Sequence, residues 1–365
     1  MHIPDGYLSP STCAALYAGA APFWWVALRR LRRSLHTRLV PRLALFAAFS
    51  FVVMMFNVPL PGGTTGHATG VALAAIVLGP SASILAVSTA LVIQAFFFGD
   101  GGITALGANS FNIAIVGSLV AYAVYRAAAG RAPLGAPRRV VAAGLAGYAA
   151  INMAALVTAV EFGIQPIFFR DASGAPLYCP YPLGVAVPAM MVGHLTIAGF
   201  AEFFLTGGVV AFLQKTEPSL LAATAGRGVL PNDGLDAGVR PSLRPLWAAL
   251  GLLLVLTPLG LMAGGAAWGE WSASDFADPA ARQAIADASF GQAPPDAAPR
   301  GLARLASVWT APFPDYAPSF LKSQAVGYAL SGMFGAGLAV LAVVAAGAAL
   351  RVVRRPTHDR GRPTP

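Results

Sequence analysis

The first two residues, Met1 and His2, form a potential chelating group at a free amino terminus. The α-amine, the amide nitrogen of residue two once it has lost its proton, and the His2 imidazole offer three nitrogens in fused chelate rings. This set is planar and tridentate, and one further nitrogen would complete the square plane that selects Ni(II) or Cu(II). The terminus therefore predicts a nitrogen-ligated transition-metal site if a fourth ligand is supplied.

His67 is the candidate for that fourth nitrogen. It lies in the segment PGGTTGHATG at 61–70, at the start of a predicted helix, and the glycines there allow a close backbone approach. The alternative interpretation is that His2 belongs to a loose terminus and that His67 is only the polar start of a helix. The residues alone leave both interpretations open.

The composition places these residues on a membrane protein. Of the 365 residues, 56% are apolar and only 11% are charged, whereas a soluble domain carries about 25% charged residues. Such a chain cannot cover a water-facing surface, which excludes intrinsic disorder and a compact cytosolic enzyme. The two cysteines, Cys13 and Cys179, are too few for a disulfide framework or a cysteine-rich metal cluster.

Apolar segments near the length of a membrane span recur along the chain, so we predict an all-α, polytopic fold with about nine transmembrane helices. Single helices are predicted at 12–28, 43–58, 103–125, 140–160, 184–213, 246–267 and 325–350. The stretch 68–98 is too long for one span, and Gly79-Pro80 interrupts it. Because proline cannot continue a helix without losing a hydrogen bond, two shorter helices are expected there.

The positive charges predict the orientation of these helices. Nineteen of the 24 lysines and arginines fall on one side when nine spans alternate, and the positive-inside rule makes that side cytoplasmic. We therefore expect a multi-pass protein of the cytoplasmic (inner) membrane with its amino terminus outside and its carboxyl terminus in the cytoplasm. The net charge of +9 then reflects topology and the lipid bilayer, not a nucleic-acid partner. No signal peptide is recognised, so Met1 is expected to remain.

The same pattern predicts two membrane domains. Residues 1–214 form a seven-helix unit that carries both histidines, and 215–244 form a cytoplasmic linker rich in Gly, Ala and Pro. Residues 245–355 form a two-helix unit with a long external loop at 268–324. The tail at 356–365 is expected to be disordered.

ATP hydrolysis is not expected on this chain. A P-loop requires Gly-Lys-Ser/Thr, and the two lysines, Lys215 and Lys322, both lack the preceding glycine. If this membrane protein moves a solute against a gradient, the energy must come from a partner or from an ion gradient.

The motifs around the two histidines resemble the NikM/CbiM family, the substrate-binding components of energy-coupling-factor (ECF) nickel and cobalt transporters. The resemblance rests on MHIPDG at 1–6, GGTTGH at 62–67, LGAN at 106–109 with FN at 111–112, GH at 193–194 and GFAE at 199–202. It implies a seven-helix protein similar to vitamin-binding S components, with one added amino-terminal helix. It also implies metal held by the terminal amine of Met1, the amide and imidazole of His2, and His67.

The carboxyl-terminal part resembles the small two-helix accessory subunit of these transporters, so the chain resembles a fusion of the two subunits. PNDGL at 231–235 departs from a PDGLE signature by an inserted Asn and by Asp in place of Glu. The matches TPLGLM at 257–262, WGEW at 268–271 and YALS at 328–331 follow. The resemblance covers roughly residues 230–350, and the external loop matches weakly.

Three further polar residues are candidates for supporting roles near the metal. Asp5 is expected to form a salt bridge or hydrogen bond near the site. Asn109 and Asn112 lie at the outer end of one predicted helix, where they could orient the metal loop. Helix–helix hydrogen bonding is the alternative for both.

Three ionisable residues lie in or near the spans. His194 and Glu202 are eight residues apart in the seventh helix, so they are nearly on one face, away from the outer loops. They are candidates for a second metal or proton site, or for a buried contact between helices or with a coupling partner. Glu161 is expected at the outer end of the sixth helix, exposed to water.

These observations predict the metal-capture component of an ATP-driven uptake complex, with Ni²⁺ or Co²⁺ as the transported substrate and no catalytic residue or prosthetic group. The resemblance implies a membrane coupling (T) subunit and two ABC ATPase subunits as partners. The residues do not separate nickel from cobalt, so cobalt uptake for cobalamin synthesis is an alternative. The rival classes are a proton-coupled secondary transporter that uses Glu161, His194 and Glu202, and a metal sensor or scaffold.

Overall fold

Helices account for most of the described chain, and their positions follow the predicted apolar segments. The computed structural model describes residues 1–34, 39–222, 224 and 242–352. Most of the predicted linker, with the PNDGL motif, and the predicted tail lie outside these residues. The helices are α1 Pro10–Ser34, α2 Leu39–Met54, α3 Val71–Leu78, α4 Pro80–Phe98, α5 Leu106–Ala129, α6 Pro137–Phe168, α7 Leu183–Thr216, α8 Ser219–Ala222, α9 Arg244–Met262, α10 Pro279–Ala288, α11 Arg300–Leu305 and α12 Gln324–Val352.

Six of the described helices, α4, α5, α6, α7, α9 and α12, are long and apolar enough to cross a membrane. Helix α2 has 16 residues and α3 has eight. Helix α1 has 25 residues, but Pro22 and a run of arginines make it less apolar on average than these six helices. A helical multi-pass architecture is therefore observed, and the total of nine spans stays a prediction.

The predicted break between α3 and α4 is confirmed. Gly79 adopts φ +82°, a conformation that favours glycine, and Pro80 occupies the first turn of α4. Proline is tolerated there because the first backbone N–H groups of a helix have no intrahelical acceptor.

A short hairpin corrects the all-α prediction. Strand β1, Val58–Leu60, pairs antiparallel with strand β2, Thr64–Gly66, through the turn that contains Gly62 and Gly63. The apolar run that begins at residue 43 predicts a helix as far as residue 58, whereas in the structure Val58 begins strand β1. The pairing delivers His67 directly after β2, four residues before α3 begins.

Helix α3 lies in the centre of the first unit. Seven of its eight residues are buried, as expected for a helix that is apolar on all sides. It packs against α4, α5 and α6. The amino-terminal end of α3, and with it the segment that carries His67, is therefore held by the surrounding bundle.

Three of the long helices contain a π-helical turn, and each turn begins at or includes a polar residue. The turns are Gln94–Phe98 in α4, Ser110–Val116 in α5 and His194–Ala198 in α7. Such turns are rare and often lie at functional sites, because the extra residue changes the direction of the side chains.

Candidate metal centre

The first residues of the chain are buried in the bundle. Met1, His2 and Ile3 are 3%, 1% and 0% exposed. Asn109 holds the backbone of Ile3 at both ends: its Oδ1 accepts the Ile3 N–H at 2.8 Å, and its Nδ2 donates to the Ile3 carbonyl at 3.1 Å. The Gly102 N–H donates to the same carbonyl at 2.8 Å. The terminus is thus an ordered element, which removes the alternative of a loose His2.

Asp5 holds the loop on which this terminus rests. Its carboxylate accepts the backbone N–H groups of Ile103, at 3.1 Å, and Thr104, at 2.7 Å, and also the Thr104 hydroxyl. A Cβ on Gly102 would collide with the Asp5 backbone, so only glycine allows the loop to approach so closely. Asp5 therefore positions the terminus through the backbone.

His67 faces His2 across the site. The centroids of the two imidazole rings are 4.9 Å apart, a separation at which one ion can contact a nitrogen of each ring. His67 Nδ1 lies 3.0 Å from the Ala68 carbonyl. A carbonyl can only accept, so Nδ1 carries the proton and the lone pair is on Nε2.

The pKa of His67 supports this ligand form. Burial, together with the neighbouring His2 and amino-terminal charges, holds the pKa of His67 well below its usual value. A buried imidazole avoids the charged form because the apolar surroundings solvate it poorly. His67 is therefore neutral, as a metal ligand must be.

Two carboxylates that the sequence analysis did not select complete the site. The Met1 amine donates to Glu270 Oε1 at 2.9 Å, and His2 Nδ1 contacts Asp100 Oδ1. The His2 Nε2 atom is buried without a hydrogen-bond partner. Nitrogen ligands and negative charge thus meet in one place, and a cation bound by the amine and His2 Nδ1 would replace these two contacts.

Asp100 belongs to a buried polar network. Its Oδ2 accepts from the Tyr316 hydroxyl at 2.6 Å and from Gln94 Nε2 at 3.2 Å. Burial raises the pKa of Asp100, but the charge and hydrogen bond of His2 outweigh it, so the pKa lies below its usual value. Burial and the Asp100 charge raise the pKa of Tyr316. Asp100 therefore remains ionised while Tyr316 remains a donor.

The sequence contains weak signals for Asp100 and Glu270. Asp100 lies in a glycine-rich turn, GDGG at 99–102, and Glu270 lies in the WGEW motif. The charge distribution placed both residues on the outer side, where His2 and His67 were also expected. Nothing local, however, indicated which of the outer carboxylates would reach the terminus.

Glu202 contacts the His67 segment, which corrects its predicted position away from the outer loops. Its Oε2 accepts the backbone N–H groups of Thr69, at 2.6 Å, and Gly70, at 3.3 Å. Thr206 donates to the other oxygen at 3.3 Å. A carboxylate is stabilised by the N–H groups at the start of a helix, so Glu202 fixes Thr69 and Gly70, the two residues between Ala68 and the first residue of α3.

The remaining polar candidates lie in the bundle. Asn112 donates to Thr158 at 3.0 Å and to Glu161 at 2.7 Å, so it joins helices and does not touch the terminus. Glu161 is only 6% exposed, whereas the sequence predicted that it would be exposed to water. The prediction is wrong because α6 continues past Glu161 to residue 168, so this residue lies inside the helix and not at its end. His194 is 3% exposed, and its Nδ1 lies 2.8 Å from the Met190 carbonyl.

The donor set depends on main-chain nitrogens. Within the described residues, no three His, Cys, Asp or Glu side chains are arranged to hold a metal ion. The four nitrogens of the predicted chelate are different, because two of them are the Met1 amine and the His2 amide.

Comparison with known proteins identifies the two parts of the chain. Residues 2–220 match the family model described as the cobalt uptake substrate-specific transmembrane region, CbiM. The chain belongs to the CbiM family. Residues 244–352 match the PDGLE domain, so this CbiM-family chain carries its accessory-type domain in the same polypeptide.

Curated relatives share this two-part organisation. The fused nickel transport protein NikMN of Rhodobacter capsulatus is 56% identical over 97% of this chain and 99% of its own length. The probable fused nickel transport protein LarMN of Lactiplantibacillus plantarum is 42% identical over 91% of this chain and 93% of its own. A crystal structure of a transition metal transporter, 51% identical, superposes with a TM-score of 0.56 and covers 59% of this chain and 93% of that one.

Proposed function

We propose that this CbiM-family protein is the metal-capture component of an uptake transporter for nickel or cobalt ions. The observation that carries the proposal is the juxtaposition of His2 and His67, with ring centroids 4.9 Å apart, beside the buried amine of Met1. The family description names cobalt uptake, and the two relatives described above are named for nickel.

Four nitrogens hold the cation in this proposal. They are the Met1 amine, the amide and Nδ1 nitrogens of His2, and His67 Nε2. The first three are fixed by covalent connectivity, and the hydrogen bonds of Asn109 to Ile3 hold the terminus in place. Asp100 and Glu270 add negative charge beside the ion, which offsets its cost of leaving water.

Nickel is the preferred substrate in this proposal. An amine, a deprotonated amide and two imidazoles favour a square plane, and Ni(II) adopts that geometry readily. Cobalt uptake through the same ligands is the alternative, and a direct competition between the two metals decides between them.

Transport is driven by ATP that partner subunits hydrolyse. Both lysines lack the preceding glycine of a P-loop, so the energy must be supplied from outside the chain. We propose a membrane coupling subunit and two ABC ATPase subunits as those partners, with the amino terminus and the metal site on the outer side. Nickel uptake by membranes with and without these partners tests this arrangement.

Replacing His67 tests the site. The His67→Ala variant should lose high-affinity nickel because the remaining chelate has three nitrogens and an open fourth position. Nickel per protein, measured by elemental mass spectrometry on carboxyl-terminally tagged wild type and variant, gives the answer. His194→Ala is the control for a second buried imidazole and should keep the metal. An unchanged nickel content in His67→Ala would refute the site.

A further inference from the structure

A cavity of about 520 Å³ lies between the CbiM-type region and the PDGLE region, and the buried His67 is part of its lining. Thr65, His67 and Asp100 line it from the first region, and Gly264, Glu270 and Asp315 line it from the second. A buried water occupies about 30 Å³, so the cavity has room for a cation that keeps several water molecules. Neither region encloses this space alone.

The lining of this cavity favours cations. Three carboxylates, Asp100, Glu270 and Asp315, line it, and among the residues that the structure describes no lysine or arginine does. Burial and the charge of Asp100 raise the pKa of Asp315. A cleft lined by one sign of charge raises the local concentration of opposite ions and speeds their association.

Another part of the amino-terminal segment, around Gly6, is closely packed. A Cβ on Gly6 would lie 2.8 Å from the backbone of Leu302, so the PDGLE region packs directly against the terminus there. A smaller cavity of about 210 Å³ lies beside this segment, lined by Asp5, Tyr7 and Ala306 among others. It shares Glu270 with the larger cavity but does not reach His67.

We propose that the larger cavity is the route by which the hydrated divalent cation travels from the outer solution to His67. Gly264 and Gln324 lie at its exposed end, and Asp315 and Glu270 attract the ion along it. The ion exchanges its water for the nitrogen ligands at the inner end. The inference rests on the proposed function, because it concerns the substrate of that site.

Gly264 offers a direct way to block the route. A Cβ at Gly264 meets nothing within 4 Å, and its φ lies outside the left-handed range, so a larger side chain fits without strain. The neighbouring Gly265 has φ +94° and lies against the Gly63 carbonyl, so it is unsuitable. Gly264→Phe and Gln324→Trp each place a large aromatic side chain in the lining of the larger cavity, and we call these two variants the plugs. Gly264→Ala is the matched control.

The experiment measures nickel association and dissociation on the full-length protein with a carboxyl-terminal tag. A narrowed route slows both directions equally, so each plug should lower the two rate constants by about tenfold and leave Kd within about twofold of wild type. Asp315→Asn should lower only the association rate and weaken its dependence on salt. Asn also tolerates the positive φ of residue 315.

The rival route has its own test. Ala306→Phe fills the smaller cavity and should leave both rates unchanged. Unchanged rates in both plugs, or slow association in Ala306→Phe instead, would overturn the proposed route. So would a plug that changes Kd without slowing association. If His67→Ala also keeps its nickel, the proposed site fails as well, so the two failures are distinguishable.

Discussion

The CbiM-type region and the PDGLE region are both membrane-associated but are packed in different ways. In the most apolar stretch of α4, 67% of the residues are buried, whereas in α9 only 22% are. Helix α7 of the first region and α12 of the second lie between these values, at 33% each. The first region surrounds its polar groups with helices, while α9 leaves most of its surface for lipid. The proposed nitrogen ligands all lie in the first region, where surrounding helices and the hydrogen bonds of Asn109 hold the amino-terminal segment.

The PDGLE region contributes through its outer segment. The Tyr7 hydroxyl donates to the Trp271 carbonyl at 2.7 Å, and the Thr65 N–H donates to the Ala266 carbonyl at 3.2 Å. A Cβ on Gly269 would lie 2.6 Å from the Phe162 ring. These contacts fix Glu270 beside the Met1 amine. In the proposed site the first region provides the ligands, while the second region contributes the charge of Glu270 and part of the cavity lining.

Blocking the amino terminus should have the largest effect, a complete loss of nickel binding. Acetylation removes the donor lone pair of the amine, and one added residue moves the imidazole to position three and enlarges the chelate. Metal content of amino-terminally extended and carboxyl-terminally tagged proteins should be compared. Equal nickel in both would show that the amine is not a ligand.

Acidification should weaken nickel binding, because a metal must displace protons from the nitrogens that it binds. His67 contributes little to this loss, since its lowered pKa keeps it neutral. Asp100 also stays charged, since its pKa is lowered. Titrations between about pH 5 and 8 measure the slope of log Kd against pH.

The control for this titration is Asp100→Asn. It should weaken binding at every pH without changing the slope. A slope that flattens in this variant would mean that the carboxylate, and not the amino-terminal chelate, releases the protons.

Glu202→Ala should weaken nickel binding by about tenfold, which corresponds to ~1.4 kcal/mol. The variant loses the charge-assisted bonds to Thr69 and Gly70, so the segment that carries His67 is less well fixed. Isothermal titration gives Kd. Glu202→Gln keeps an acceptor oxygen and should recover part of the affinity.

Thr206→Val is the matched control for Glu202. It removes only the bond to the other carboxylate oxygen and should change Kd much less. A wild-type Kd in Glu202→Ala would show that helix packing alone holds His67 and that Glu202 does not contribute to its position.

Removing the PDGLE region should have the smallest effect on equilibrium binding, a loss of about threefold to tenfold. All four proposed ligands precede Ala222, but the truncated chain lacks Glu270 and Tyr316, so its site carries less negative charge. Nickel titration of a protein ending at Ala222, in detergent, measures this loss. Glu270→Gln should reproduce part of it in the full chain.

Asp296→Asn is the control for Glu270→Gln, because it removes a carboxylate from the same region at an exposed ion pair with Arg282. It should leave Kd unchanged. A truncated protein that folds but binds no nickel would reverse the comparison, since the PDGLE region would then supply a ligand.

The sequence by itself determined the class of the molecule and predicted the residues at the centre of the proposed site. Low charge and repeated apolar segments predicted membrane helices, and Gly79-Pro80 predicted the break between α3 and α4, because these are local properties of the chain. Met1 and His2 are a chelate through covalent connectivity alone. His67 followed from its motif, and the resemblance to the CbiM family is confirmed by the family match.

Only the tertiary structure decided which groups surround that centre. Glu270 reaches the Met1 amine across 269 positions, Glu202 reaches Thr69 across 133, and Asp100 reaches His2 across 98. Strand β1 was hidden at the end of an apolar run for the same reason, since strand pairing depends on a partner. Contacts between distant residues are set by helix packing, and local residue patterns do not encode which carboxylate a buried amine or imidazole will meet.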